Sequence, residues 1–269
     1  MLIENHWRVL TVGDGDLSFS YALKKKYPSL QLTATVYDSF DVLNSKYQSH
    51  FYHHLRQENV AVLCGFDVTN KACWHNLVKN SFDLVIFQFP LLPAFSSAQD
   101  YLQAISESKA GSKETIVNTL NRQLLRDFLI NSGKSFLDPL GEQLCYITSK
   151  DVKPYREWNI ENSINQQTDF HYLGSIVFDI AEFPEYKVRN VDRDKYVRDT
   201  QGTTYVWSMK AEHGIKASLK PFSFNGEEYC CFCRAGPFES PQEKQAHVRS
   251  KKHQKMQQFE RAWQAEIGD

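Results

Sequence analysis

Apolar and polar positions along the first 150 residues follow two alternating patterns: short β-rich runs, and stretches whose apolar positions recur three or four apart. The short runs predict buried strands over residues 7–12, 31–37, 60–64, 82–89 and 142–149, with two more over 172–180 and 203–209. Between them the spacing predicts helices over residues 18–26 and 40–58, a short one around 71–79, and one over 154–167 opened by Pro154. Ile116, Leu120, Leu124 and Phe128 recur every four positions on a further amphipathic helix. Strands that alternate with helices predict an α/β fold, Rossmann-like, with a mostly parallel sheet and helices on both faces. Residues 91–112, rich in Ser and Ala, read as a connection long enough to be functional or mobile.

A sheet of this kind takes its ligand outside the carboxyl ends of the strands, where the first turn meets a helix N-terminus. Gly13, Asp14, Gly15 and Asp16 stand there. Glycine lets the backbone approach a ligand and permits positive φ, and helix-start N–H groups receive polar atoms. Asp38 closes the second strand, where a carboxylate can accept two hydrogen bonds from ribose hydroxyls, and Asp67 after the third can accept one from an adenine amino group. Helix capping is the competing reading for both acids, since Ser39 and Thr69 follow them. A dinucleotide and S-adenosylmethionine both suit such a turn. Ser18 at the third glycine position and the lack of a second nucleotide-binding half favour S-adenosylmethionine.

The cysteines divide the chain. Cys64, Cys73 and Cys145 lie singly among apolar residues, whereas Cys230, Cys231 and Cys233 cluster near the C-terminus. Cys230 and Cys233, with two residues between them, are followed after thirteen residues by His247 and His253. Four such ligands can close a tetrahedral structural Zn2+ site, and a segment this short needs metal to fold. On one continuous helix a six-residue step leaves the two histidines about 120° apart, so the helix must distort between them. His50, His53 and His54 lack suitable partners and read as helix-surface residues. Residues 186–198 mix Lys187, Arg189, Arg193, Lys195 and Arg198 with Asp192 and Asp194, and read as a solvated loop in preference to an RNA-contacting one.

The run from Val9 to Leu23 (VLTVGDGDLSFSYAL) resembles the opening motif of the Rossmann-like methyltransferases that include the eukaryotic large-subunit ribosomal RNA uridine-N3 methyltransferases. Also similar are ATVYDS (34–39), FDLVIFQFP (82–90), NRQLLRDF (121–128), GEQLCYITSK (141–150) and PYREWNI (154–160), in family order. The resemblance implies methyl transfer from S-adenosylmethionine to an RNA base, uridine N3 of ribosomal RNA, in the nucleus or nucleolus. The cofactor would lie over Gly13–Asp16, with Asp38 on its ribose, Asp67 near its adenine, and its methyl towards Gln88, Phe89 and Pro90. Phe89 would stack on a flipped base or pack in the core, and Gln88 would read the base edge. Lys150 and Tyr155 close the same edge. In the family the fourth strand ends in Phe-Asn-Phe-Pro-His, followed closely by glycine; here Gln88 replaces the asparagine, and Leu91 and Leu92 replace the histidine region. A non-catalytic RNA-binding protein is therefore the alternative reading. The C-terminal segment, with Tyr229 before the first cysteine and HVRSKKHQKM at its end, resembles the matrin and U1 type of zinc finger, which implies binding of structured RNA.

Composition sharpens two points. Lys+Arg 31 against Asp+Glu 32 leaves a net charge of −1, so nucleic-acid affinity needs a local patch, and Lys244, Arg249, Lys251, Lys252 and Lys255 supply one suited to phosphates. A 42% hydrophobic chain with no uninterrupted apolar run of about 20 residues reads as a packed, soluble protein. Residues 1–30 show no signal-peptide pattern, which predicts a chain that stays inside the cell. The expected organisation is a methyltransferase domain over 1–212, a linker over 213–225, and a ββα-like finger with its basic helix over 226–269.

Overall fold

A computed structural model describes residues 1–48, 50–74, 76–92, 99, 103, 112–190, 193–196 and 201–268. Most of the 91–112 connection lies outside the described residues, as do Asp192 and Arg198; of 193–196 the backbone alone is described. The chain forms two compact units. One comprises Met1–Leu91, Asp127–Asp151 and Thr168–Lys220, the other Leu92–Arg126, Val152–Gln167 and Pro221–Asp269.

The first unit is built on seven strands, β1 (Arg8–Val12), β2 (Gln31–Val36), β3 (Ala61–Cys64), β4 (Leu84–Gln88), β5 (Leu144–Ser149), β6 (His171–Phe178) and β9 (Gly202–Ser208), in the order β3-β2-β1-β4-β5-β9-β6. The first five run parallel, and β9 is reversed between β5 and β6. Up to β5 this is the Rossmann order, with its switch point between β1 and β4. Thr11 pairs with Ala34 on one side and Ile86 on the other, so β1 is central and Val9 and Leu10 are fully buried. Arg189–Asn190 (β7) and Arg193–Tyr196 (β8) form a separate two-stranded ribbon.

Helix α1 (Ser18–Lys26) matches the sequence reading, while three other stretches differ. Residues 40–58 form two helices, α2 (Phe40–Tyr47) and α3 (His50–Gln57), because Gln48 turns left-handed at φ 59° and ends the first. Around residue 71 there is a single 3-10 turn, Lys71–Cys73. In 154–167, Asn159 at φ 48° separates a 3-10 turn (Tyr155–Trp158) from one helical turn (Ile160–Ser163), a backbone position asparagine tolerates better than most residues. Residues 213–220, expected as the start of a linker, continue the first unit. Ser175 and Lys220 exchange backbone hydrogen bonds of 2.8 Å in both directions, and Leu219 is buried. Gly174 permits this approach, since a Cβ there would lie 2.8 Å from the Lys220 carbonyl oxygen.

Helix α4 (Lys113–Asn131) contributes its residues up to Arg126 to the second unit. There they join the 155–167 turns and the C-terminal helices α5 (Pro241–Arg249) and α6 (Lys251–Ile267). The apolar face of α6 is fully used: Met256, Phe259 and Trp263 are buried, and Trp263 Nε1 donates to the Ser163 carbonyl at 3.0 Å. The β part of the expected ββα finger is reduced to one bridge, Cys230 to Ala235. No helix among the described residues is long and apolar enough to cross a membrane.

Candidate active site and metal centre

Strand β1 delivers the chain to Gly13 at φ +61°, where a Cβ would stand 3.0 Å from the Phe87 ring; both backbone and space call for glycine. The Asp14 amide donates to the Thr35 carbonyl at 3.0 Å, tying the turn to β2. Leu17, left-handed at φ 67°, precedes α1 without a side-chain cap, and the acids of the turn take that role. Asp14 Oδ2 accepts from the Ser20 amide at 2.6 Å, and Asp16 Oδ1 from the Ser18 amide at 3.0 Å. Burial, reinforced by Asp16, pushes the Asp14 carboxyl up to about 7. Of the four turn residues, Asp14 and Asp16 thus face the helix start.

Asp16 also holds Arg189, whose Nε lies 2.6 Å from Oδ2. The Arg189 side chain crosses the turn 3.7 Å from where a Gly15 Cβ would be, and its guanidinium lies 5.3 Å from the centre of the Tyr47 ring. The sequence pattern predicts a solvated loop here. Instead Tyr186 and Val188 are buried and the Lys187 amide donates to Ser18 Oγ at 3.1 Å, which lays the segment along α1. The signal in the sequence is the alternation of Tyr186 and Val188 with Lys187 and Arg189.

Asp38 does not cap α2; Ser39 Oγ does, accepting from the Val42 amide, while Asp38 pairs with Lys46 Nζ at 2.9 Å. Asp67 closes an Asx turn, its Oδ1 accepting from the Thr69 amide (2.8 Å) and hydroxyl (2.7 Å). At the end of β4, Gln88 is buried with neither amide atom hydrogen-bonded to any described residue, a cost of about 1–3 kcal/mol per group unless a ligand or water satisfies it. Phe89 takes φ +45°, rare for a bulky residue. Its ring packs on Phe178 (5.7 Å) and Tyr186 (6.4 Å) and blocks any Cβ at Gly202, so Phe89 is committed to an aromatic cluster. Pro90 beside it is buried, as is Lys150 at the end of β5; Tyr155, in the other unit, packs edge-on against Trp158. These residues fit S-adenosylmethionine. The turn lets a ligand approach backbone, Asp38 stands where this fold binds ribose, and Gln88 holds an unsatisfied buried amide.

In the second unit, one ligand atom from each of Cys230, Cys233, His247 and His253 lies within 4.8 Å of all the others. His253 Nδ1 is 3.4 Å from Cys230 Sγ, 3.7 Å from Cys233 Sγ and 3.2 Å from His247 Nε2. Metal–ligand bonds of about 2.0–2.1 Å to nitrogen and 2.3 Å to sulfur give tetrahedral edges of roughly 3.3 Å for N–N and 3.6 Å for N–S, so the quartet fits zinc. The expected distortion between the histidines is a break at Ser250. Its extended backbone (ψ 148°) separates α5 from α6, its Oγ accepts from the His253 amide at 3.2 Å, and the two histidines offer different ring nitrogens. Burial, then His253, pulls the His247 imidazole below its ordinary value. Cys231 is not in the quartet.

Of the five basic residues, Lys244, Arg249, Lys251 and Lys252 are exposed. Lys255 departs from the expected patch. It is half-buried and turned to Glu114 (2.6 Å) and Glu157 (3.6 Å), because α6 packs its side chain between those carboxylates.

Fold and site define the class as an S-adenosylmethionine-dependent methyltransferase. Residues 10–190 match the BMT5-like family, described as rRNA (uridine-N3-)-methyltransferase BTM5-like, and the chain belongs to that family. An uncharacterized protein of Arabidopsis thaliana is 26% identical over 182 residues, 66% of this chain and 79% of that relative. Heavy metal-associated isoprenylated plant protein 41 of Arabidopsis thaliana is 26% identical over 191 residues, 70% of this chain but 33% of its own length. Among solved structures, a 30S ribosomal methyltransferase from an uncultured bacterium aligns with a TM-score of 0.42 at 10% identity, covering 77% of this chain and 95% of its own.

Proposed function

We propose that the protein transfers a methyl group from S-adenosylmethionine to an RNA base, with N3 of a ribosomal RNA uridine as the target, in the nucleus or nucleolus. The observation that carries this reading is the buried, unsatisfied Gln88 amide at the carboxyl end of β4, next to the strand that leads into the glycine turn. The cofactor, which supplies an electrophilic methyl group, lies over the turn from Gly13 to Asp16, whose path Gly13 makes possible at its positive φ. Asp38 takes its ribose, and Asp67 offers Oδ2 to its adenine, while Asp14 and Asp16 brace the turn against α1. Gln88 meets the base edge: its Nε2 donates to a uracil carbonyl and stabilises the negative charge that grows as N3 loses its proton. A neutral amide takes no proton, so water removes it. Phe89 and Pro90 set the path of the chain past Gln88, and alignment of N3 with the methyl group supplies much of the rate.

Zinc closes the Cys230, Cys233, His247 and His253 quartet, and Lys244, Arg249, Lys251 and Lys252 hold structured RNA through its phosphates. Nucleoside mass spectrometry of ribosomal RNA from cells with and without the protein tests the reading. Loss of N3-methyluridine supports it. Unchanged nucleosides, together with calorimetric binding of S-adenosylmethionine and of RNA, would make the protein a non-catalytic RNA binder, the alternative that the departures from the family pattern at Gln88, Leu91 and Leu92 raise.

A further inference from the structure

The second unit holds a cleft that the proposed methyl transfer does not use. It has a volume of about 340 Å³, at the small end of the roughly 300–1,000 Å³ that ligand sites occupy. Its lining combines Asn159, Asn162 and Gln166 with the aromatic residues Phe224, Tyr229 and Phe232 of the segment that carries Cys230 and Cys233. No Lys, Arg, Asp or Glu lines it. Such walls offer nothing to neutralise a phosphate or carboxylate, and too little room for a duplex or a folded peptide. What they match is a flat, neutral ring with hydrogen-bonding edges.

The amides are oriented in advance. Arg122 holds Glu260 Oε1 at 2.8 Å, where it faces Asn159 as a hydrogen-bond acceptor. Asn159 therefore presents its Nδ2 to Glu260 (3.1 Å), which turns its Oδ1 to accept from Asn162 Nδ2 (3.0 Å). Asn162 is left with its carbonyl oxygen and one N–H, neither bonded to a described residue. Gln166 is held from both ends: its Oε1 accepts from Gln264 at 2.6 Å, and its Nε2 donates to the backbone carbonyl of Asn162 at 2.8 Å, which leaves the Asn162 side-chain oxygen open and Gln166 with one N–H. An acceptor beside donors, in a cleft also lined by aromatic residues, is the combination that reads an unpaired base by its edge while stacking on its face.

We propose that this cleft binds one unpaired nucleobase of RNA, at a site distinct from the methyl-transfer centre. The proposal rests on the reading of the finger as an RNA-binding element, whose exposed Lys251 and Lys252 belong to the same unit and would hold the flanking phosphates. The finger would thereby select RNA with a bulged or looped-out nucleotide over continuous duplex.

The test is fluorescence anisotropy with the full, zinc-loaded chain and two labelled RNAs, a fully paired duplex and the same duplex with one bulged nucleotide, the bulge tried as each of the four bases. The bulged RNA is expected to bind about tenfold tighter for at least one base, the scale of one stacked base. Asn162→Ala and Phe224→Ala should reduce that preference to about onefold. Thermal unfolding and zinc content of both variants show whether they remain folded, and Asn162→Asp provides a second variant that keeps the side chain's size while losing both N–H donors, including the one to Asn159. Equal affinity for the two RNAs, or a preference that survives all three substitutions, overturns the base site while leaving the finger an RNA binder. No binding of either RNA overturns the RNA reading of the finger and the base site with it.

Discussion

Arg122 and Glu260, from α4 and α6, form an ion pair of 2.8 Å with both side chains almost wholly out of solvent. Burial pulls the Arg122 guanidinium down from its ordinary value and Glu260 opposes that shift. The pair makes the helix that carries the second histidine ligand part of the same core as Trp158 and Trp263.

Removing one partner should therefore cost more than removing both. Arg122→Met is expected to destabilise the second unit by about 3–5 kcal/mol, because Glu260 is left buried and unpaired. The double variant Arg122→Met with Glu260→Leu should recover most of that loss. Urea unfolding followed by tryptophan fluorescence reads both; equal losses for the single and double variants would contradict a buried, coupled pair.

The metal quartet predicts one zinc per chain. Burial pushes the Cys233 thiol up to about 12 in the metal-free state, so zinc must displace its proton and affinity should fall as pH drops. Chelator is expected to melt the 229–267 segment, seen as lost helix signal, and Cys233→Ser to abolish stoichiometric binding. Cys231→Ser should leave the stoichiometry at one, since Cys231 is outside the quartet.

At the glycine turn, Gly13→Ala places a methyl 3.0 Å from Phe87 at a positive φ and should destabilise the first unit by roughly 1–2 kcal/mol or more. Asp38→Ala, at a half-exposed residue paired only with a surface lysine in the described structure, should leave the melting temperature nearly unchanged and weaken S-adenosylmethionine binding about tenfold or more. Calorimetry separates the two effects. If Asp38→Ala binds the cofactor as well as the parent protein, the ribose assignment falls.

Asp14 carries a pH dependence whose sign is opposite to that of a salt-bridged carboxylate. Folded, it holds its proton up to about 7, whereas the unfolded chain releases it near 3.8. The folded state binds the extra proton, so this residue makes stability fall as pH rises from about 4 to about 7, by at most about 1.4 kcal/mol per pH unit. Asp14→Asn can still accept from Ser20 and carries no charge. Its melting temperature should gain on the parent protein between pH 5 and pH 8, and the comparison of the two proteins removes the metal site's own pH response. A constant difference across that range would show that Asp14 is ionised throughout.

The strands, the glycine turn, α1 and the Cys-His quartet are all legible along the chain, because each rests on local periodicity or on spacing between near neighbours. The two interrupted helices are less so. Gln48 and Asn159 reverse their backbones within otherwise helical runs, and propensity over a window averages such single residues away. At the candidate site, the sequence places Asp14, Asp16, Asp38 and Asp67 at one sheet edge but does not say which way each carboxylate turns. Two of them satisfy the first amides of α1, one closes an Asx turn, and one pairs with a lysine.

By itself, then, the sequence determined the α/β class, the sheet edge where the first turn lies, and the four residues whose ligand atoms come together, since these follow from backbone periodicity and ligand spacing. Tertiary structure alone decided that Arg189 crosses the glycine turn, that Lys255 leaves the basic patch for two glutamates, and that Asn159 is held by Glu260. Each of those contacts joins residues far apart in the chain. Such pairings follow from which surfaces must be buried together and which buried polar groups must be satisfied, conditions that no local window of sequence contains.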